Sequence, residues 1–172
     1  MTRINIFSEN IHKTLVINER KFLTYAKKIF RYYSQCEFFN KSAVTGFEYN
    51  CISFDILYCD NEKTHEINKE YRNKDYIADI ITFSIFADSE EKFIFDKEIN
   101  LGEFMISLDK VKENSEKNNT TFDYELCFLI SHGIMHLLGF DHQSEEDYNF
   151  VVGAQKEALE SLKIKRVKDD KV

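Results

Sequence analysis

TTFDYELCFLISHGIMHLLGFDH, residues 120–142, is the stretch on which the fold and the chemistry of this chain turn. From Leu126 to Leu138 nearly every position is apolar, so a helix here has almost no solvent face and must run through the middle of a domain. Thr120 or Thr121 stands where a cap is needed, and Asp123 and Glu125 suit the positive end of the helix dipole. Within this buried frame His132 and His136 lie at i and i+4, on one face, so that both imidazoles reach a single ion. Gly139 can take the left-handed conformation that stops a helix, and the short return to His142 brings a third imidazole toward the first two. Three neutral nitrogens leave one corner of a tetrahedron open. That open corner separates catalytic from structural zinc, because water held there has its pKa lowered to about 7. One zinc per chain on His132, His136 and His142 is therefore expected, with binding that weakens as pH falls through the histidine range near ~6.5.

A histidine pair at this spacing also occurs in ordinary helices; the third histidine after a glycine break favours the metal site. The frame is close to the zinc-protease pattern H-E-x-x-H-x-x-G-x-x-H, whose glutamate is the general base. Here Gly133 occupies that position, so the ligands are kept, the base is missing, and peptide hydrolysis is the weaker reading.

Around this helix the pattern alternates between strand and helix periods. Residues 3–7 alternate as a strand, and Glu19 to Tyr33 carries Phe22, Leu23, Ala26, Ile29 and Phe30 at helical spacing, with Lys27, Lys28 and Arg31 on a solvated face. Cys51 to Tyr58 reads as a strand, and Asp60 or Asn61 caps a helix reaching about Tyr71. Ile80 to Phe86 predicts a well-buried strand, Phe104 to Leu108 another, and Lys112 to Asn119 a polar stretch before the histidine helix. Ser144 with Asp147 opens a last helix to about Ile164, and the charged tail 165–172 is expected to fray. With no repeat and no linker, residues 1–172 read as one domain. The expected fold class is α/β (α+β), a small mixed β-sheet covered by helices, with the zinc site at the end of a buried central helix.

Composition narrows the function. The chain's 172 residues, 43% of them hydrophobic with 16 Phe and 9 Tyr, suffice for a real core. Thirty acidic against 23 basic residues give a net charge of −7, so the whole molecule does not attract nucleic acid and any polyanion must be held by a local cluster. Cys36, Cys51, Cys59 and Cys127 form no C-x-x-C pair and read as reduced thiols. No apolar signal core opens the chain and no apolar run approaches a membrane span, which points to the cytoplasm.

Upstream of the histidines, Tyr71-Arg72-Asn73-Lys74-Asp75 concentrates charge before the Ile80 strand, a pattern that a solvated helix end would also give. The segments Ile67–Asp75, Asp79–Phe83, Leu101–Leu108 and His132–His142 resemble, in order and spacing, those of the YbeY family, over roughly residues 67 to 148. This resemblance implies a bacterial single-strand-specific metallo-endoribonuclease that matures the 3′ end of 16S ribosomal RNA and serves late ribosome quality control. It implies a small α/β domain with zinc at one side of a cleft, His132, His136 and His142 as its ligands, and Arg72 as the functionally important arginine. The family usually carries prolines near Ile77 and Ser84, threonine at Ala78 and leucine at Met135; none of these departures removes a ligand.

On this reading Arg72 is the catalytic and substrate-binding group, a planar clamp for phosphate, and Lys74 steers the substrate. Tyr71 and Tyr76 are candidates for stacking on unpaired bases, though either can equally serve the core. Asp79, Glu103 and Asp141 are possible proton acceptors, with Asp141 more suited to orienting a ligand imidazole. The expected partners are single-stranded RNA, ribosomal RNA and the small ribosomal subunit; neither DNA nor membrane is expected. A zinc-dependent peptidase-like hydrolase and a non-catalytic assembly factor with a structural zinc are the alternatives.

Overall fold

Four strands, β1 (Arg3–Asn10), β2 (Cys51–Cys59), β3 (Ile80–Phe83) and β4 (Glu98–Ser107), form one sheet in the order β1-β2-β4-β3 in the computed structural model, which describes residues 1–167. β1, β2 and β4 run parallel and β3 is antiparallel to β4 at the edge. The mixed sheet is the one expected. Central β2 and β4 are buried on both faces, whereas β1 alternates between solvent and core as an edge strand does.

The described residues also form six α-helices, α1 (Glu19–Gln35), α2 (Asn61–Arg72), the single turn α3 (Ile85–Asp88), α4 (Leu108–Asn118), α5 (Phe122–Leu137) and α6 (Glu145–Ser161), with a 3-10 turn at Glu37–Lys41. Asp60 caps α2 by accepting from the Lys63 amide at 2.9 Å, Thr121 caps α5 from Tyr124 at 3.1 Å, and Ser144 caps α6 from Asp147 at 3.1 Å. Helix α5 is buried along most of its length and packs against α1, α4, α6, β3 and β4, so the apolar histidine helix is the central element. A smaller cluster of Cys59, Ile67, Ala78, Ile81 and Met105 seats α2 against the sheet separately from the main core.

Several boundaries differ from the sequence reading. The strand expected over residues 80–86 stops at Phe83 and is only half-buried, because β3 is an edge strand and Ser84 turns the chain into α3. The strand expected at 104–108 starts at Glu98; a bulge at Leu101 and Gly102, where Gly102 has φ +120°, had hidden its first half. A side chain on Gly102 would collide with the Phe83 carbonyl, so the bulge lets the end of β3 lie close to β4. The polar stretch 112–119 is mostly α4, which buries Leu108, Val111 and Ser115. The last helix ends at Ser161 and not near Ile164. Of the tail expected to fray, Lys165 and Arg166 accept hydrogen bonds from Thr121, and Val167 bridges to Thr120; residues 168–172 lie outside the described residues. No helix among the described residues is long and apolar enough to cross a membrane.

Candidate metal centre

The end of α5 is built to hold the histidines still. Gly139 adopts φ +91°, its N–H donates to the His136 carbonyl at 2.9 Å, and the Phe140 N–H donates to Met135 at 3.0 Å. This left-handed termination reverses the chain so that His142 returns toward the helix, as the glycine in the motif led one to expect. Ring centroids lie 4.4 Å apart for His132 and His136, 5.0 Å for His136 and His142, and 5.4 Å for His132 and His142. Among the described residues these three form the one group of metal-ligating side chains able to share an ion, with ligand atoms all within 4.8 Å of one another.

The arrangement fits a divalent metal. Nε2 of His132 and of His136 face each other at 2.9 Å, a little inside the ~3.3 Å that two nitrogens span when each lies ~2.0–2.1 Å from a tetrahedral ion. Burial also favours the neutral form of His132 and His136, the form in which an imidazole ligates. It lowers the His132 pKa, against a hydrogen bond to the Gln155 amide oxygen that raises it. His136 is lowered to about 4, first by burial and then by the neighbouring His132 and His142. An unfolded histidine titrates near ~6.5, so between that value and about 4 the unfolded chain takes up protons that the folded one refuses. The stability contributed by these neutral imidazoles is complete above pH ~6.5 and is lost as pH falls toward about 4. Thermal melts of metal-free protein should show the midpoint falling across this window; a flat profile would contradict neutral burial. Acid release of metal is accordingly expected below the ~6.5 that free histidine suggests.

A cleft of about 490 Å³ opens over the histidines, lined also by Arg72, Tyr76, Asp79, Thr82 and Asp141. Arg72 arrives from the end of α2, His132 and His136 from α5 and His142 from the turn after it, and Ile80 and Thr82 of edge strand β3 line the same cleft. Asn73 caps α2 in the left-handed conformation at φ +53°, and Asn68 holds the following loop, its side-chain N–H donating to the Tyr76 carbonyl at 2.9 Å. Arg72 is exposed, and among the described residues its guanidinium has no hydrogen-bond or ion-pair partner. Its charge is felt at His136, whose pKa it helps to lower. A guanidinium carries five N–H donors, and none of them is engaged among the described residues.

The remaining candidates divide. Tyr76 lines the cleft and is half exposed, whereas Tyr71 packs its ring edge-on against Phe83 at 5.9 Å and does not line it. Lys74 is exposed on the loop beyond Arg72 and Glu103 is exposed on β4; neither lines the cleft. Asp79 does, with Oδ1 accepting from the Ile80 N–H at 2.8 Å. Asp141 stands 3.9 Å from His136 Nδ1, beyond hydrogen-bond length. Its pKa is lowered, chiefly by the His142 backbone N–H that it accepts at 2.8 Å, which makes it a poor proton acceptor.

Two structural residues escaped the motif reading. Ser84, near one of the missing prolines, donates its hydroxyl to the His136 carbonyl at 2.9 Å and ties the end of β3 to the ligand helix. Gln155 on α6 lies fully buried with Oε1 3.2 Å from His132 Nδ1.

The family model for endoribonuclease YbeY matches residues 7–163. The chain belongs to the YbeY family. Among relatives, the endoribonuclease YbeY of Malacoplasma penetrans is 41% identical over 120 residues, 70% of this chain and 77% of that protein. That of Bacillus mycoides is 42% identical over 114 residues, 64% and 73% of the two chains. A solution structure from Thermotoga maritima shares the fold with a TM-score of 0.54 at 23% identity, covering 93% of this chain and 91% of that one. Membership of the YbeY family agrees with the order of motifs from Ile67 to His142 and with the α/β fold just described.

Proposed function

We propose that this protein is a zinc-dependent endoribonuclease specific for single strands, acting in the cytoplasm in 3′-end maturation of 16S ribosomal RNA and in quality control of the small ribosomal subunit. The observation that carries the reading is the pairing, in one cleft, of three convergent imidazoles with an arginine that has no hydrogen-bond or ion-pair partner among the described residues. Family membership supports an RNA substrate.

His132, His136 and His142 hold the ion, which when bound supplies Lewis acidity toward a phosphate oxygen and lowers the pKa of a water molecule. Charge decides why the cleft needs it. With the imidazoles neutral, one arginine faces three aspartates, Asp79, Asp88 and Asp141, a formal charge of −2 that repels a phosphodiester. A divalent cation brings the cleft to neutrality and leaves Arg72 as an attractive group. Arg72 then grips two phosphate oxygens through its planar fork and offsets the charge that gathers in the transition state. Tyr76 offers its exposed ring to a base, which must be unstacked to meet it; this favours single strands. Asp79 keeps Oδ2 for a proton, since its other oxygen is engaged by the Ile80 N–H.

One observation favours the peptidase alternative: β3 is an edge strand bordering the cleft, and a free edge can pair with an extended peptide. Gly133 opposes it, as the helix has no glutamate where such enzymes keep their base. The test sets zinc-loaded protein against unpaired RNA, fully duplex RNA and an unfolded protein under the same conditions. Cleavage of the unpaired RNA alone is expected. Cleavage of the polypeptide without RNA cleavage would overturn the reading.

A further inference from the structure

Gln155 is the one wholly buried polar side chain that α6 sends toward the metal centre. Its amide is held at both ends. Nε2 donates to the Phe128 carbonyl at 2.9 Å, and Oε1 lies 3.2 Å from His132 Nδ1. A backbone carbonyl only accepts, so the amide nitrogen must face Phe128 and the amide oxygen must face the imidazole. An amide oxygen also only accepts. His132 Nδ1 must then carry the proton, which leaves the lone pair on Nε2, the atom that faces His136 Nε2 at 2.9 Å.

We propose that Gln155 is a positioning residue that locks His132 as the Nδ1–H tautomer and aims its Nε2 lone pair into the metal site. The proposal rests on the reading of the three histidines as a metal centre. It moves the supporting role expected of Asp141, in the turn after α5, to helix α6. Asp141 lies 3.9 Å from the His136 ring nitrogen and is already engaged by the His142 N–H and the Gln143 side chain, whereas Gln155 meets its histidine at hydrogen-bond distance. The contact also gives α6 a function in the site. That helix supplies no metal ligand, yet it fixes one ligand through Gln155 and sets the Tyr148 ring edge-on against His142 at a centroid distance of 5.8 Å.

The test uses full-length protein with nitrogen-labelled histidine. Long-range NMR correlations report the His132 tautomer in the metal-free state, and competition with a chromophoric chelator reports zinc affinity. In wild type His132 is expected as Nδ1–H before zinc is added. Gln155→Met keeps length and apolar bulk but removes the acceptor; it should mix the tautomers and weaken zinc binding by about 10- to 100-fold. Gln155→Glu restores an acceptor oxygen and should return both the Nδ1–H tautomer and zinc affinity to at least the wild-type level. If Gln155→Met fails to fold, Gln155→Asn, which withdraws the carbonyl by one methylene, gives the same comparison. An Nε2–H tautomer in metal-free wild type would overturn the proposal whether or not zinc binds. So would wild-type tautomer and affinity in Gln155→Met. Wild-type protein that binds no zinc, yet shows Nδ1–H and loses it in Gln155→Met, would sink the metal reading while upholding the Gln155 contact.

Discussion

Replacing Arg72 with alanine should cut cleavage of single-stranded RNA by about 10²-fold or more, while zinc content and melting temperature stay near wild type. The separation is expected because Arg72 is exposed at the end of α2, makes no hydrogen bond or ion pair among the described residues, and lines the same cleft as the histidines. Its removal leaves no buried partner unsatisfied, so the fold has little to lose. The transition state loses its one cationic side chain among the residues lining the cleft. Arg72→Lys should recover only part of the rate, since an ammonium keeps the charge without the planar two-point contact. Steady-state cleavage of a labelled oligoribonucleotide, with zinc analysis and a thermal melt of each variant, decides the matter. Wild-type cleavage by folded, zinc-loaded Arg72→Ala would remove the phosphate clamp and favour a non-catalytic assembly factor.

Gly133→Glu, which writes the zinc-protease motif into the ligand helix, should unfold the protein instead of creating a peptidase. Even a Cβ at Gly133 would lie 2.7 Å from the Phe104 ring, and both residues are buried between α5 and β4. A glutamate there must displace the ring and carry a carboxylate into an apolar interior with no partner. The cost is about 4 kcal/mol or more, roughly a 10 °C fall in melting temperature or outright loss of the fold. Gly133→Ala should be far milder, as overpacking of about 1–3 kcal/mol is partly offset by about 1 kcal/mol of helix propensity. Thermal melts of the two variants measure both effects. A stable Gly133→Glu protein would show that α5 and β4 are not packed as described.

Phe104 thus explains a gap in the motif that sequence alone could only note. The histidine helix itself was legible, because an apolar run of more than three turns has few places to go and because i, i+4 spacing and a helix-ending glycine are geometric statements. The caps at Asp60, Thr121 and Ser144 were legible for the same local reason. Helix α4 was not, since it buries only Leu108, Val111 and a serine on a narrow face among charged residues, leaving a weak period. β4 was half missed because its bulge breaks the alternation at Gly102, and β3 was overextended because nothing local distinguishes Ser84 as a turn toward His136. Within the site, Arg72 was reached by resemblance to the family and by no spacing rule. Gln155 was unreachable: one glutamine among the polar residues of α6 acquires meaning only when α6 packs on α5. Lys74 and Glu103 show the converse, charged residues near the site in sequence that the fold leaves outside the cleft.

Metal held by these histidines is expected to be what turns an acidic cleft into an RNA-cutting one. The direct measurement is cleavage and binding of single-stranded RNA by metal-stripped protein, before and after addition of one equivalent of zinc, with His136→Ala alongside. Stripped wild type should neither cut nor bind appreciably, and zinc should restore both. His136→Ala should retain little zinc and recover little activity. Undiminished cleavage by metal-free protein, or full rescue of His136→Ala by the same single equivalent, would contradict that expectation.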